Sequence, residues 1–376
     1  MKEGWEYKKL GEVATVSHGK NQKEVEDIHG EYPIYGSGGN IMGYGNSYLC
    51  ESGTTILGRK GTINNPLYIE TKFWNVDTAF GITAKDGNSK KYIYYFVKSQ
   101  DWSKKDTGTT LPSLTQKVVK ETIIPVPPLS EQHRIVSYLD AAFAKIDAVA
   151  KNAEDALNEA KALFQSALAK MMEPKEGWEE KKIRDIADVR SGYAFKSSEF
   201  KPNGKYQVLR IGNVKRGIIL YHVAPVFMPD SLASVVVNKS ILKKGDIIIT
   251  QTGTKSKGDY GYTAIVDCDN LLLNQRVARL RVNKEINLTF LLFYTWTKYF
   301  RDQFFSNEGG MVGQGNVSLE TIKQIKIIYP SIEEQVEIVS LLSTIYHKIE
   351  LLESNLSRTL TECAALKQSI LRQTFE

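Results

Sequence analysis

Residues 2–16 read KEGWEYKKLGEVATV, and residues 175–189 read KEGWEEKKIRDIADV. Nine of these fifteen positions are identical, which chance does not produce. A second echo joins IIPVPPLSEQHRIVSYL at 123–139 to IKIIYPSIEEQVEIVSLL at 325–342. The offset is 173 residues at the first echo and 203 at the second. The chain is therefore one plan written twice, with about thirty extra residues inside the second copy. The frame is constant and the filling is not.

Long helices follow each second echo. From 130 to 173 there is no Gly or Pro, Ala recurs, and Pro174 ends the run. Ser130 is placed to cap it; Ser331 and Glu334 have capping-box spacing for its counterpart over 331–376. Apolar residues recur in steps of four and three at Ile135, Leu139, Ala142, Ile146, Val149, Ala153, Ala156, Ala160, Leu163 and Ala167. Adding 203 reproduces the second helix: Ile338, Leu342, Ile345, Ile349, Leu352, Leu356, Thr359, Cys363, Leu366 and Ile370. A sustained 3.5-residue period predicts that the two helices pair as a coiled coil. At ~1.5 Å per residue the first would run ~65 Å, too long for one small domain to cover. Antiparallel pairing would stand a globular segment at each end and return the C-terminus toward the N-terminus. The predicted seam is Ile135, Leu139, Ile146, Val149 and Leu163 against Ile338, Leu342, Ile345, Ile349, Leu352 and Leu356.

The 376 residues are 42% hydrophobic and 24% charged, which excludes a disordered tail protein or a collagen-like fibre. No apolar stretch approaches the ~20 residues a membrane span needs. The start MKEGWEYKKL has no apolar leader, and Cys50, Cys268 and Cys363 are scattered, so a reducing cytoplasm is the expected location. Charge is divided unevenly. The globular segments 1–129 and 174–330 carry +2 and +9; the helical segments 130–173 and 331–376 carry −2 and −3.

Segments 1–129 and 174–330 are rich in Gly, Tyr and short β-type runs such as Tyr32–Tyr35, Thr54–Leu57 and Asp246–Thr250. Turn signals every eight to twelve residues predict a mixed, mainly antiparallel sheet in each, with helices at 91–99 and 288–304. The fold class is thus α+β: two such domains, two long antiparallel helices and a pseudo-two-fold repeat. Glycine-flanked basic loops are the candidate phosphate and base contacts, because glycine admits close backbone approach while Arg and Lys neutralise phosphate or reach guanine. They are Arg59, Lys60 and Thr62 in the first segment. In the second they are Lys196, Arg210, Asn213, Lys215, Lys255, Ser256, Lys257 and Arg276, with Thr252–Gly258 as the counterpart of Gly58–Thr62. The same loops also suit ordinary exposed hairpins. No phosphate-binding GxxxxGK[ST] loop, metal-ligand spacing or catalytic constellation occurs in the sequence; Gly36–Gly39 reads as a turn and the five histidines are isolated.

Taken together, these residues resemble the specificity subunit of type I restriction–modification enzymes over nearly the whole length. GW-x-x-KK at 4–9 and 177–182 and IPVPPLSEQHRIVSYLD at 124–140 carry the frame. SGYAFKSSEF (191–200), VLRIGNV (208–214), LKKGDIIIT (242–250) and LNQRVARLRV (273–282) look like one type of target-recognition domain. YPIYGSGG (32–39), TILGRKGT (55–62) and WNVDTAFGI (74–82) look like another. The resemblance implies a non-catalytic subunit whose two domains each read one half of a split double-stranded DNA target. It implies that the helix pair sets the separation of the halves and docks two adenine-N6 methyltransferase subunits, with motor-nuclease subunits completing the complex. S-adenosylmethionine, ATP and Mg²⁺ would serve those partners, with no cofactor or metal in this chain. A coiled-coil scaffold that binds only proteins is the competing reading.

Overall fold

A computed structural model of the chain describes residues 4–232, 234–310 and 313–376. The two echoes turn out to be the two strands of one ribbon. Glu6–Lys9 pairs antiparallel with Ile123–Val126, Glu6 opposite Val126. In the second copy Glu179–Lys182 pairs with Lys326–Tyr329, Glu179 opposite Tyr329. One strand has moved by 173 and the other by 203, so the ribbon closes each head whatever lies between. Behind each first strand a single helical turn, Leu10–Val13 or Ile183–Ile186, buries its leading apolar residue completely.

The fillings share a topology that their sequences hide. In the first head Ala14–His18, Ala79–Ala84, Thr54–Gly58 and Leu67–Ile69 lie side by side in that order. In the second, Ala187–Ser191, Val277–Val282, Ile247–Thr250 and Thr263–Ile265 take the same places. All these pairings are antiparallel. A smaller sheet in each head has one antiparallel and one parallel pairing. Tyr32–Tyr35 lies between Ile41–Gly45 and Trp74–Asn75, and Tyr206–Leu209 lies between Phe227–Met228 and Leu271–Leu273. Thr54–Gly58 and Ile247–Thr250 are buried along their whole length, so no polar–apolar alternation marks them. The extra residues of the second head include a small hairpin, Val214–Lys215 with Ile218–Ile219, and a helix at Ser234–Ser240.

The helix expected at 91–99 is Lys90–Ser99. The one expected over 288–304 is two, Leu288–Tyr294 and Lys298–Phe305. The break comes where Thr297 accepts a hydrogen bond from the Phe300 backbone N–H at 3.3 Å and starts a new helix as its cap.

The long helices are Leu129–Met171 and Ile332–Phe375. Ser331 caps the second, accepting from the Glu334 N–H at 3.4 Å. Ser130 does not cap the first: the Pro128 carbonyl accepts from the Gln132 N–H at 3.0 Å, which puts Ser130 inside the opening turn. Proline already fixes the φ required at that entry and has no N–H to satisfy. A buried glutamine follows in both copies. Gln132 accepts from the Ser89 N–H at 2.9 Å and donates to the Pro127 carbonyl at 3.0 Å. Gln335 does the same with Asn287 N–H at 2.8 Å and the Pro330 carbonyl at 2.9 Å. Each glutamine ties the start of a long helix to the cap of a head helix. Gln335→Ala is expected to strand those buried groups and cost about 2 kcal/mol, read as a lower urea midpoint at unchanged m.

Two compact units divide the chain, Met1–Ala156 with Glu353–Glu376, and Leu157–Leu352. The helices are thus not separate bodies; each unit holds a head and one end of both. Inside the first unit Ile135, Val136, Leu139, Phe143, Ile146 and Leu371 join the head's own core, and Phe375 packs on Tyr92 and Phe96. Asp147 pairs with Lys367 there, and the Cys363 thiol lies 3.7 Å from the Ile146 carbonyl. Inside the second unit Phe164 packs on Phe293, Trp296 and Tyr346, while Lys175 meets Glu334 at 2.9 Å. In each unit, contacts rise along one helix as they fall along the other, so the pairing is antiparallel.

The seam register needs one correction. Ile135, Leu139, Ile146, Ile338, Leu342 and Ile349 are buried, and Ile345, Leu352 and Leu356 are half-buried. Val149 and Leu163, however, are 54% and 62% exposed. The residues that go inward are Phe143, Leu157 and Phe164. Steps of three and steps of four both follow a helix face, so spacing alone permits either choice. Side-chain size decides: taking Phe143, Leu157 and Phe164 inward buries far more apolar surface than Ala142 and Ala156 would, at roughly 25 cal/mol per Å². Among the described residues no helix is long and apolar enough to cross a membrane.

Candidate nucleic-acid interface

In each head, four chain crossings meet at one end of the large sheet, and the same four backbone hydrogen bonds lace them together. In the first head Gly19 N–H bonds Ala79 O, Lys20 N–H bonds Asn75 O, Val76 N–H bonds Tyr35 O, and Arg59 N–H bonds Thr78 O, all within 2.8–3.2 Å. In the second the corresponding bonds run from Gly192 to Val277, Tyr193 to Leu273, Asn274 to Leu209, and Gln251 to Arg276, within 2.8–3.1 Å. The glycines are required: a Cβ on Gly19 would lie 1.9 Å from the Val76 carbonyl oxygen, and one on Gly192 equally close to that of Asn274. Backbone crossing backbone at this range leaves a tightly packed platform that buries Asn75, Val76 and Ala79 in one head and Leu209, Leu273 and Val277 in the other, with Lys20, Tyr193 and Arg276 exposed at its rim.

This lacing fixes which residues correspond. Gly58-Arg59-Lys60-Gly61-Thr62 aligns with Thr250-Gln251-Thr252-Gly253-Thr254, not with Thr252–Gly258. Lys60 bridges to Ser113 as Thr252 pairs with Asn316. The lysines of the second head, Lys255 and Lys257, stand one turn further on, in an exposed 3-10 turn closed by Gly258 at φ +55°. The shared Gly-Thr of the two loops was the available signal, and matching basic residues instead displaced the alignment.

Around the first platform Lys60 and Thr62 are exposed, and Arg59 lends one nitrogen to the Asp77 carbonyl at 3.2 Å. Lys20, which sequence reasoning passed over, is exposed beside them; its position after the glycine that ends a strand, like Tyr193 after Gly192, was the cue. The loop 106–113 leans on this hairpin through Gly61 N–H to Pro112 O at 2.9 Å. Asp106 stiffens that loop by accepting from the Ser113 and Gly108 N–H groups, which hold its carboxyl below the usual carboxylate range.

Around the second platform Arg276 is exposed in the left-handed region at φ +67°, and Lys196 is exposed beyond Tyr193. Arg210 is half-buried and gives one guanidinium nitrogen to the Ala224 carbonyl at 2.6 Å. Asn213 is not a contact residue. It is 3% exposed; its carboxamide accepts from Arg210 N–H and donates to the Leu220 and Val223 carbonyls. Those bonds build the turn and leave nothing for a base edge. Lys215 lies off the platform, in the small hairpin, 6.0 Å above the Tyr262 ring. Asp246 of the LKKGD motif is structural too, buried against Arg281 with two hydrogen bonds of 2.6 and 2.7 Å.

Duplicated mixed-sheet heads, each joined to one end of a long helix pair and each bearing a laced loop platform with cations around it, define an internally repeated, two-headed α+β protein. A sequence profile described as the type I restriction modification DNA specificity domain matches residues 2–159 and 175–362, and the chain belongs to that family. The MjaVIII specificity subunit of Methanocaldococcus jannaschii is 26% identical over 93% of this chain and 88% of its own length. The EcoKI specificity subunit of Escherichia coli is 23% identical over 76% of this chain and 64% of its own. Among solved structures, a chain from a type I restriction–modification system superposes at TM-score 0.72 with 19% identity, covering 100% of this chain and 98% of that one. The specificity subunit of Thermoanaerobacter tengcongensis superposes at 0.54 with 20% identity over 100% and 97%. At these identities the superpositions speak for the fold.

Proposed function

We propose that each head reads one half of a split duplex DNA target through its loop platform, and that this chain directs partner subunits to that target without doing chemistry itself. The single observation that supports this most is the repeated lacing, which presents Lys20, Arg59 and Lys60 in one head and Tyr193 and Arg276 in the other on equivalent frames, with Lys255 and Lys257 one turn beyond the second. Rigid placement is what direct readout of base edges needs, and exposed lysines around it suit phosphate contacts. The second head, at +9 against +2, supplies more of the sequence-independent affinity. The acidic long helices suit protein partners, the methyltransferase and motor-nuclease subunits, better than a duplex. Apolar residues left exposed on them, among them Val149, Leu163, Leu341 and Leu351, are where such partners would sit.

The target is found by mapping methylated adenines in cells with and without this gene, and binding is then measured on duplexes altered in one half. Affinity should fall steeply with salt; a scaffold that binds only proteins would show no duplex binding. Arg59→Ala with Lys60→Ala is expected to lower affinity about tenfold or more and to erase discrimination at one half-site alone. Equal loss at both halves, or no loss, would remove these residues from the reading surface.

A further inference from the structure

The second unit holds an open cleft, lined by charged and aromatic side chains, that the reading platform does not use. It has a volume of about 640 Å³ and lies between the small hairpin, the segment 296–306 and the flank of the first long helix at Gln165. Arg216 occupies the hairpin turn, followed by Gly217 at φ +79°. Its guanidinium stacks 4.8 Å from the Trp296 ring centre, and its polar contacts, Gln165 Oε1 and the Trp296 carbonyl, are both long at 3.5 Å. Arg301, from the helix Lys298–Phe305, stacks 4.9 Å from the Phe305 ring centre and reaches the Gly258 carbonyl at 3.4 Å. Both cations are thus held by ring faces and neutral oxygens.

Neither forms an ion pair among the described residues. Asp302, the acid lining the cleft, is engaged by Lys298 at 2.5 Å. The contrast lies in the same unit, where Arg279 is paired with Asp188 and Arg281 with Asp246. Desolvation against its neighbours first, and the charge of Arg301 second, pull the Arg216 guanidinium below its ordinary range although the residue stays exposed to solvent; burial does the same to half-buried Arg301. Two neighbouring guanidinium groups still carry full charge at neutral pH. Arg216 is open to solvent and Arg301 half-buried, each over a ring face and neither paired with an acid, so an incoming anion meets two accessible guanidinium groups.

We propose that this cleft is an oxyanion site that takes a phosphate group, with Arg216 and Arg301 donating to separate oxygens. Guanidinium forks match the several oxygens of a phosphate, and rings beneath them keep the forks oriented. Among the described residues the first head has no twin of this site, for it has no counterpart of the small hairpin. A phosphodiester of the duplex is the favoured source. Gly258, the residue that anchors Arg301, closes the exposed Lys255–Lys257 turn, so the cleft continues the cationic track away from the reading platform. That source rests on the proposed DNA reading; the oxyanion chemistry does not.

The test uses the full chain and the double variant R216Q/R301Q, with R216K/R301K as the charge-retaining control and the melting temperature in chloride buffer as the check on folding. Phosphate affinity is measured by ³¹P NMR titration at fixed ionic strength, and duplex affinity across a salt series. The dissociation constant for inorganic phosphate should rise at least tenfold in R216Q/R301Q and less in the lysine control. If the source is a duplex phosphodiester, the log–log salt slope should also become shallower by about 0.9, the value for one phosphate contact, with half-site discrimination retained. A changed phosphate affinity with an unchanged salt slope assigns the site to a small free phosphate compound. The proposal is overturned if wild-type chain binds no phosphate, or if R216Q/R301Q binds it as well as wild type. Because the phosphate titration needs no DNA, it decides even if the chain proves not to bind a duplex.

Discussion

Ile146→Asp is expected to destabilise the first unit by about 4 kcal/mol, whereas Val149→Asp, three residues along the same helix, should cost under about 1 kcal/mol. Ile146 is 8% exposed and belongs to the core shared by the head, the first long helix and the end of the second. Truncating such a residue forfeits roughly 2–5 kcal/mol in transfer and cavity terms, and a carboxylate in its place must be desolvated or take up a proton. Val149 is 54% exposed, so an aspartate there stays hydrated. For a unit of this size the first change lowers the melting temperature by roughly 10 °C and the second by a degree or two. Equal melting of the two variants would place the seam one face earlier. The pair also separates folding from docking. With methyltransferase docking on the helix pair as proposed, Ile146→Asp should lose that assembly because the helix pair comes apart. Val149→Asp should lose it, if at all, with the fold intact.

Asp246→Ala should be the most damaging single change in the second head that removes only a polar group, at about 3 kcal/mol. Asp246 is 1% exposed, grips Arg281 through two hydrogen bonds and accepts from the Lys243 N–H at 2.7 Å. Its loss leaves a guanidinium and a backbone donor without partners in a tight turn where Gly245 sits at φ +90°. The figure sits at the low end for a broken buried pair because the Arg281 side chain is 34% exposed and recovers some hydration. Glu180→Ala supplies the comparison. Its ion pair with Lys326 is equally short at 2.7 Å, but both side chains are nearly half exposed, so its removal should leave the urea midpoint close to that of the wild type. Urea unfolding of the two variants checks this; similar midpoints would mean that burial is not what makes the Asp246 pair matter.

Much of this architecture was legible in the sequence because it is carried by local pattern. The repeated GW-x-x-KK segment and the echo around Glu131-Gln132 and Glu334-Gln335 mark the two strands of the closing ribbon, and their offsets of 173 and 203 are the shifts seen in its pairing. Helical period and the absence of Gly and Pro marked both long helices. Family membership followed from the same motifs.

Other features depend on contacts between residues distant in the chain. Which of two adjacent helix positions faces inward was settled by the volume of Phe143, Leu157 and Phe164, since 3.6 residues per turn leaves both choices open. The common topology of the heads rests on sheet pairing across dozens of residues, which dissimilar fillings satisfy equally well. Sequence could mark Arg59 and Asn213 alike as polar residues in glycine-bearing loops. Only the folded chain sets one at the rim of a laced platform and closes the other's carboxamide inside a turn, because a side chain's role follows from which partners surround it. By the same reasoning Arg216 and Arg301, 85 positions apart, become neighbours only once the hairpin and the helix have packed.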